Sequence, residues 1–213
     1  MQTTDSAQGI FISFEGGDSV GKTTHIRQLA DWLRKNSSYE VVVTREPGGT
    51  VLGAQLREIL LHGQEMTAKA EALIYAADRA QHVAEVIRPA LERGAIVITD
   101  RYLDSSVAYQ GGGRVLGPDE VEQLSLWATD QLLPTRTFLL DLDPQIGAAR
   151  RRGTHDRLES AGDEFHHRTR DFFLQRATND PNRWVVIDAD QPIDVISEIV
   201  VEHVTELLAG VER

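Results

Sequence analysis

Apolar residues along this chain gather in five short runs, Ile10 to Glu15, Val41 to Thr44, Ala95 to Thr99, Thr137 to Asp141 and Trp184 to Asp188. Runs of this length bounded by polar or turn residues read as buried β-strands. Between them, apolar positions recur at helical spacing. Thr23 to Lys35 places Ile26, Leu29, Ala30 and Leu33 on one face, Leu52 to Leu61 follows the second run, and a long stretch from Ala68 to Glu92 is closed by Arg93-Gly94. Further helices are predicted at Pro118 to Gln131, Pro144 to Arg152, Glu164 to Ala177 and Pro192 to Leu208, several of them opened by a proline at an early helical position. Gly153 to Asp163 is polar and charged and reads as a mobile loop between helices.

Strands alternating with helices predict βαβ units, and strands apolar on both faces predict a parallel sheet covered on both sides. The expected fold class is therefore α/β, with a five-stranded parallel sheet flanked by helices on both faces. No repeat, linker or low-complexity tract divides it, so residues 10–209 read as one domain behind a polar N-terminal extension, residues 1–9. In such a sheet, ligands bind at the carboxyl ends of the strands.

Composition narrows the chemistry. The 213 residues include no cysteine, which removes disulfides, thiolate metal sites and a cysteine nucleophile. No apolar run approaches membrane-spanning length and the polar start lacks the features of a secretory leader, so a cytoplasmic protein without membrane contact is expected. A net charge of −11 disfavours general attraction to a nucleic-acid backbone. A small anion remains possible if cations are clustered locally. The basic residues are three lysines against nineteen arginines, a bias suited to bidentate grip on phosphate or carboxylate.

The first strand runs straight into Gly16-Gly17-Asp18-Ser19-Val20-Gly21-Lys22-Thr23, which satisfies G-x-x-x-x-G-K-[ST] between a strand and a helix. Glycines let backbone N–H groups converge on phosphate, the helix start adds positive potential, Lys22 reaches the outer phosphates and Thr23 offers a hydroxyl to Mg²⁺. A Mg²⁺-bound nucleoside triphosphate follows. Three classes share such a loop: a GTPase switch, a motor or partition ATPase, and a small-molecule kinase. The chain has no Asn-Lys-x-Asp motif for guanine, and Gly17 stands where a partition ATPase carries a second lysine. A kinase needs a second anion site facing the first, because two polyanions must be aligned and their repulsion neutralised. Arg45 and Arg101 follow the second and third strands at their carboxyl ends and meet that need. Asp100, at the end of the third strand, is the expected Mg²⁺-organising acid, in preference to Asp141 and Asp143, which read equally as capping or solvated residues.

Phe14-Glu15-Gly16 with the phosphate loop, Thr44 to Thr50 (Thr-Arg-Glu-Pro-Gly-Gly-Thr), Ala76 to His82 (Ala-Ala-Asp-Arg-Ala-Gln-His), Asp100-Arg101-Tyr102 and Ser105 to Gly113 together resemble the bacterial thymidylate kinase family, from about Ile10 to Leu208. The resemblance implies the P-loop nucleoside monophosphate kinase fold with a lid loop over about residues 150–163. It implies an ATP:dTMP phosphotransferase acting in dTTP synthesis, and a homodimer. It assigns ATP to Gly16, Gly17, Asp18, Ser19, Val20, Gly21, Lys22 and Thr23, and Mg²⁺ to Thr23 and Asp100. It assigns dTMP to Asp18 at the 3′-hydroxyl, Arg45 and Arg101 at the phosphate, Arg79 at a thymine carbonyl, and Ser106, Tyr109 and Gln110 around base and sugar. The family usually carries phenylalanine where the base stacks; here that ring is Tyr75. Gly17 to Val20 contain no base, so the chain looks like the type that keeps its catalytic arginine in the lid. Arg152 and Arg157 take that role beside Lys22 and Arg101, while Arg150 reads as a solvated helix residue. Ile187 to Pro192 resembles the segment the family lays against adenine. Ser160 to Asp163 departs from the family pattern, and Glu159 and Glu164 receive no role. The runner-up is another nucleoside monophosphate kinase, with the pocket around Tyr75, Arg79 and Gln110 as the discriminating feature.

Overall fold

The computed structural model describes residues 9–150, 157–158 and 161–211. Five strands, β1 (Ile10–Glu15), β2 (Val41–Arg45), β3 (Ile96–Asp100), β4 (Arg136–Asp141) and β5 (Trp184–Asp188), form one parallel sheet in the order β2-β3-β1-β4-β5. Each boundary lies within a residue of the run of apolar positions that predicts it. The central strands are buried, whereas the edge strands β2 and β5 are partly exposed, so cover on both faces holds fully only for β1, β3 and β4.

Nine helices are described: α1 (Lys22–Asn36), α2 (Val51–His62), α3 (Ala68–His82), α4 (Arg88–Glu92), α5 (Leu103–Ser106), α6 (Pro118–Ala128), α7 (Pro144–Arg150), α8 (Asp163–Asn179) and α9 (Ile193–Val211). Period-two alternation splits the β1 side chains between the faces. Ile10, Ile12 and Phe14 pack with Ile26, Leu29 and Leu33 of α1 and with Val200 and Val204 of α9. On the opposite face Phe11 joins Val97, Leu103 and Val107, while Ser13 pairs its hydroxyl with that of Thr137 at 2.9 Å. Gly9, counted with the polar extension in the sequence, is tied down by its N–H to the Leu91 carbonyl at 3.0 Å.

Three helical regions differ from the sequence pattern. The stretch from Ala68 to Glu92 is not one α-helix: α3 passes through a π-helical turn, Val83–Ile87, into α4. Pro89 lies one residue inside α4 and has no N–H for the ladder, and a widened turn before it accommodates the loss. Leu103–Gly113, where no element was expected, is helical, with α5 continuing as a π-helix over Val107–Gly113. Every residue of this segment is buried, so no polar face marks its period, and its three terminal glycines have poor helix propensity. Packing explains two of the glycines: a Cβ on Gly112 would lie 2.1 Å from the Phe172 ring and one on Gly113 2.5 Å from that of Phe165, so α8 can close on this helix only if both positions lack side chains. The sixth helix also stops at Ala128, short of the expected Gln131, because Asp130 and Gln131 take positive φ.

Candidate active site

The phosphate loop leaves β1 at the point where the chain's crossovers diverge, β2 and β3 to one side and β4 and β5 to the other. Gly16 has φ +130°, and a Cβ there would approach the Leu140 carbonyl oxygen to 2.4 Å, so the loop can pass over β4 only with glycine at this position. Gly21, at φ +98°, turns the chain into α1. Lys22 is buried under the loop, its Nζ donating to the Gly17 carbonyl at 2.6 Å and the Gly16 carbonyl at 3.3 Å. Burial, reinforced by the charge of Arg101, pushes its ammonium down to about 8. Thr23 Oγ1 donates to Asp100 Oδ2 at 3.2 Å, which unites the hydroxyl and the carboxylate assigned to Mg²⁺. Both are hard oxygen donors of the type that cation takes, and among the described residues no cluster of three or more acids or histidines competes for one. Asp141 and Asp143 have other work: Asp141 accepts Arg170 Nε and Nη2 at 2.7 and 2.9 Å, and Asp143 accepts the Gln145 N–H at the start of α7.

Arg101 sits at φ +69° immediately after β3. Its Nη1 donates to the Gly16 carbonyl at 2.9 Å and to Ser105 Oγ at 3.2 Å, and its Nη2 to Asp18 Oδ1 at 2.5 Å and Tyr109 OH at 3.2 Å. The Tyr109 ring lies under the guanidinium at 5.0 Å. Burial pushes the Asp18 carboxyl up, but the charges of Arg101 and Lys22 outweigh it and hold the group below the usual carboxylate range. Behind Arg101, the buried Glu15 accepts the Tyr102 N–H at 2.8 Å and Ser105 Oγ at 2.5 Å, fixing the loop that carries the arginine. Sequence reading gave Glu15 a place in the motif and no role.

Two cavities meet here. One, of about 820 Å³, is lined by the phosphate loop from Asp18 to Thr23 and by Arg45, Asp100 and Arg101. The other is lined by Tyr75, Arg79, Ser106, Tyr109 and Gln110. Asp18, Glu46, Arg57 and Arg101 line both. Arg79 is almost fully buried; its Nε donates to Glu46 Oε2 at 2.8 Å, its Nη2 to Ser106 Oγ at 2.9 Å and its Nη1 to Ser125 Oγ at 3.2 Å. Glu46 is held in turn by His82, whose Nδ1 lies 2.9 Å from Glu46 Oε1 and whose Nε2 lies 2.6 Å from Thr44 Oγ1.

The structure thus brings together Asp18, Lys22, Thr23, Asp100 and Arg101, with Arg45 exposed at the cavity edge. It does not bring Arg157 to the phosphate loop: that guanidinium contacts Glu71 at 2.5 Å and the Leu60 carbonyl at 3.0 Å. Arg152 lies outside the described residues. Arg150, set aside from sequence as a solvated residue, lines the larger cavity and pairs with Asp190 Oδ1 at 2.5 Å and the Ala189 carbonyl at 3.0 Å, within the segment expected near adenine. Arg57, which no motif singled out, donates to the Pro47 carbonyl at 2.9 Å; its helical spacing in α2 gave no sign that it faces both cavities.

A phosphate loop, two strand-end arginines and an adjoining aromatic pocket are the parts expected of a nucleotide kinase site. The family model described as thymidylate kinase matches residues 14–200. The chain belongs to the thymidylate kinase family. A thymidylate kinase of Bifidobacterium longum (strain NCC 2705) is 55% identical over 204 residues, spanning 93% of this chain and 98% of the relative. One from Clavibacter michiganensis is 52% identical over 208 residues, spanning 95% and 97%. The crystal structure of the thymidylate kinase from Ehrlichia chaffeensis superposes with a TM-score of 0.77 at 33% identity, covering 93% of this chain and 99% of that one. The thymidylate kinase fold therefore accounts for the order of the sheet and the position of the loop, and the expectation of a P-loop nucleoside monophosphate kinase fold holds.

Proposed function

We propose that the protein transfers the γ-phosphoryl group of ATP to dTMP, forming dTDP and ADP. The observation that carries this reading is the junction of the two cavities at Asp18 and Arg101. A donor held on the phosphate loop and an acceptor held in the aromatic pocket would face one another across these two residues. An oxygen of the dTMP phosphate attacks the γ-phosphorus, and the bond from that phosphorus to the β,γ-bridging oxygen breaks as ADP leaves. No covalent intermediate on the protein is needed, because alignment and charge neutralisation carry phosphoryl transfer.

In this reading the loop from Gly16 to Thr23 and Lys22 hold the triphosphate, and Arg45, Arg57 and Arg101 hold the acceptor phosphate. Asp18 takes the sugar hydroxyl, Tyr75 stacks on the base, and Arg79, Ser106, Tyr109 and Gln110 line its edge. Thr23 and Asp100 would hold Mg²⁺, which when bound offsets the negative charge of the phosphates. Arg150 would follow the adenine side, and Arg152 would belong to a lid over about residues 150–163 that closes to exclude water, whereas Arg157 is held by Glu71. We also infer a single catalytic domain over residues 10–209, a homodimer and a cytoplasmic location. No helix among the described residues is long and apolar enough to cross a membrane.

The test is ADP release from Mg·ATP with dTMP, dUMP, dGMP, dCMP and AMP offered singly, with the product identified by mass. Release that depends on dTMP and yields dTDP is expected; release independent of every acceptor overturns the reading in favour of a nucleotide-hydrolysing switch.

A further inference from the structure

Glu71 is a fully buried acid in the first turn of α3 to which neither the phosphate chemistry nor the motifs give a task. Three side chains from two segments distant in sequence converge on it. Gln110 Nε2 donates to its Oε1 at 2.9 Å, Arg114 reaches both oxygens at 3.3 Å, and Arg157 Nη1 lies 2.5 Å from Oε2. A carboxylate gripped by two guanidinium groups only accepts hydrogen bonds. The Gln110 amide must therefore turn its nitrogen toward Glu71, although an amide on an ordinary surface is free to flip. Its oxygen is then the end left to the pocket, which Gln110 lines beside Tyr75, Arg79 and Ser106.

Resting on the dTMP reading of this pocket, we propose that Glu71 is a specificity-determining positioning residue, which fixes Gln110 as a hydrogen-bond acceptor and so selects a pyrimidine that carries a ring N–H between two carbonyls. Thymine and uracil carry that N–H at N3. Cytosine presents a bare nitrogen there, and two acceptors would face each other in a buried site. A site built to accept an N–H rejects the analogue without it by as much as about 10⁴-fold, because its own polar group is left unpaired. The same acid holds Arg157, so Gln110, Arg114 and Arg157 share one anchor.

The experiment compares kcat/KM for dTMP and dCMP in the wild-type protein, Glu71→Gln, Glu71→Asp, Gln110→Ala and the double variant Glu71→Gln/Gln110→Ala, with folding checked by circular dichroism. A glutamine at position 71 can offer Gln110 either end of its amide, so Glu71→Gln is expected to reduce the dTMP-over-dCMP preference at least about tenfold. Glu71→Asp, still an acceptor only, is expected to keep more of the preference than Glu71→Gln does. In the Gln110→Ala background Glu71→Gln is expected to leave the remaining preference unchanged. A preference that survives Glu71→Gln, or one that falls equally with and without Gln110, overturns the proposal. If Glu71→Gln does not fold, Gln110→Ala decides instead: a dTMP-over-dCMP preference that it leaves unchanged overturns the proposal, whereas a loss of at least about tenfold supports it. Failure of the wild-type protein to phosphorylate dTMP at all would instead overturn the functional reading on which the proposal rests.

Discussion

Arg101 and Asp18 stand 2.5 Å apart, Nη2 to Oδ1, and this pair closes the phosphate loop against the end of β3. One arginine thereby supports the loop through the Gly16 carbonyl, orients the carboxylate at the junction of the two cavities and rests on the ring of Tyr109. Burial disfavours its charge, but Tyr109 and the carboxylates of Asp18 and Asp100 outweigh this, and its guanidinium stays protonated. Within a chain of net charge −11, cations are thus concentrated where phosphates would sit.

Arg101→Ala is expected to lower kcat/KM for dTMP by roughly 10²- to 10³-fold, the scale of losing one preorganised donor to developing charge. Affinity for ATP should change by about tenfold or less, since the donor side loses only the bonds from Arg101 to the Gly16 carbonyl and to Asp18. Steady-state kinetics beside calorimetric titration with ATP separates the two effects, and unchanged dTMP turnover would refute the role given to Arg101.

The buried Lys22 makes nucleotide affinity depend on pH. Its proton is held to about 8 in the folded protein against 10.5 in the unfolded chain, chiefly because burial disfavours the charge. Between these values the unfolded chain binds more protons, so this group makes folding stability rise with pH across that window. Binding has the opposite sign, because phosphate needs the charged form. The affinity for ATP should fall above pH 8 by roughly tenfold per unit. Calorimetric titrations from pH 7 to 9.5 check this, and Lys22→Arg, which stays charged throughout, should bind with a nearly flat profile over that range.

Asp104 anchors the rear of the α5 helix through buried ion pairs. Arg183 meets it with two bonds at 2.6 and 3.1 Å and Arg176 with one at 2.7 Å, and the carboxylate is fully buried. Asp104→Ala takes the buried carboxylate from two guanidinium groups, leaving Arg183 with Asp180 and Arg176 with Glu122 at 2.9 Å each, and should cost about 2–3 kcal/mol of stability, measured by urea unfolding. A loss below about 1 kcal/mol would mean that the two arginines find other partners or water.

Much of the architecture was legible without coordinates. The five strands and their parallel order of layers follow from alternating apolar runs and helical spacing, and the turn from β1 into α1 from glycines that a phosphate-binding loop requires. What escaped had a definite cause. The helix Leu103–Gly113 is buried on every face, so it shows no amphipathic period, and its glycines look like a turn until Phe165 and Phe172 are seen lying where side chains would be. The long third helix carries no local sign of its π turn beyond Pro89.

The division between chain and fold is sharpest for the charged residues. The sequence by itself determined which arginines follow strands and hence which stand at the ligand-binding end of the sheet, because strand ends are set by local pattern. Only the tertiary structure decided what each charge meets. Arg101 and Asp18 are 83 positions apart, and Gln110 and Glu71 are 39. Arg57, Arg150 and Glu71 look like ordinary solvated residues until packing brings them to the cavity walls or the core. A charge is recognised as buried and paired through distant partners, and the pairing exists only once the sheet and its helices have closed around it.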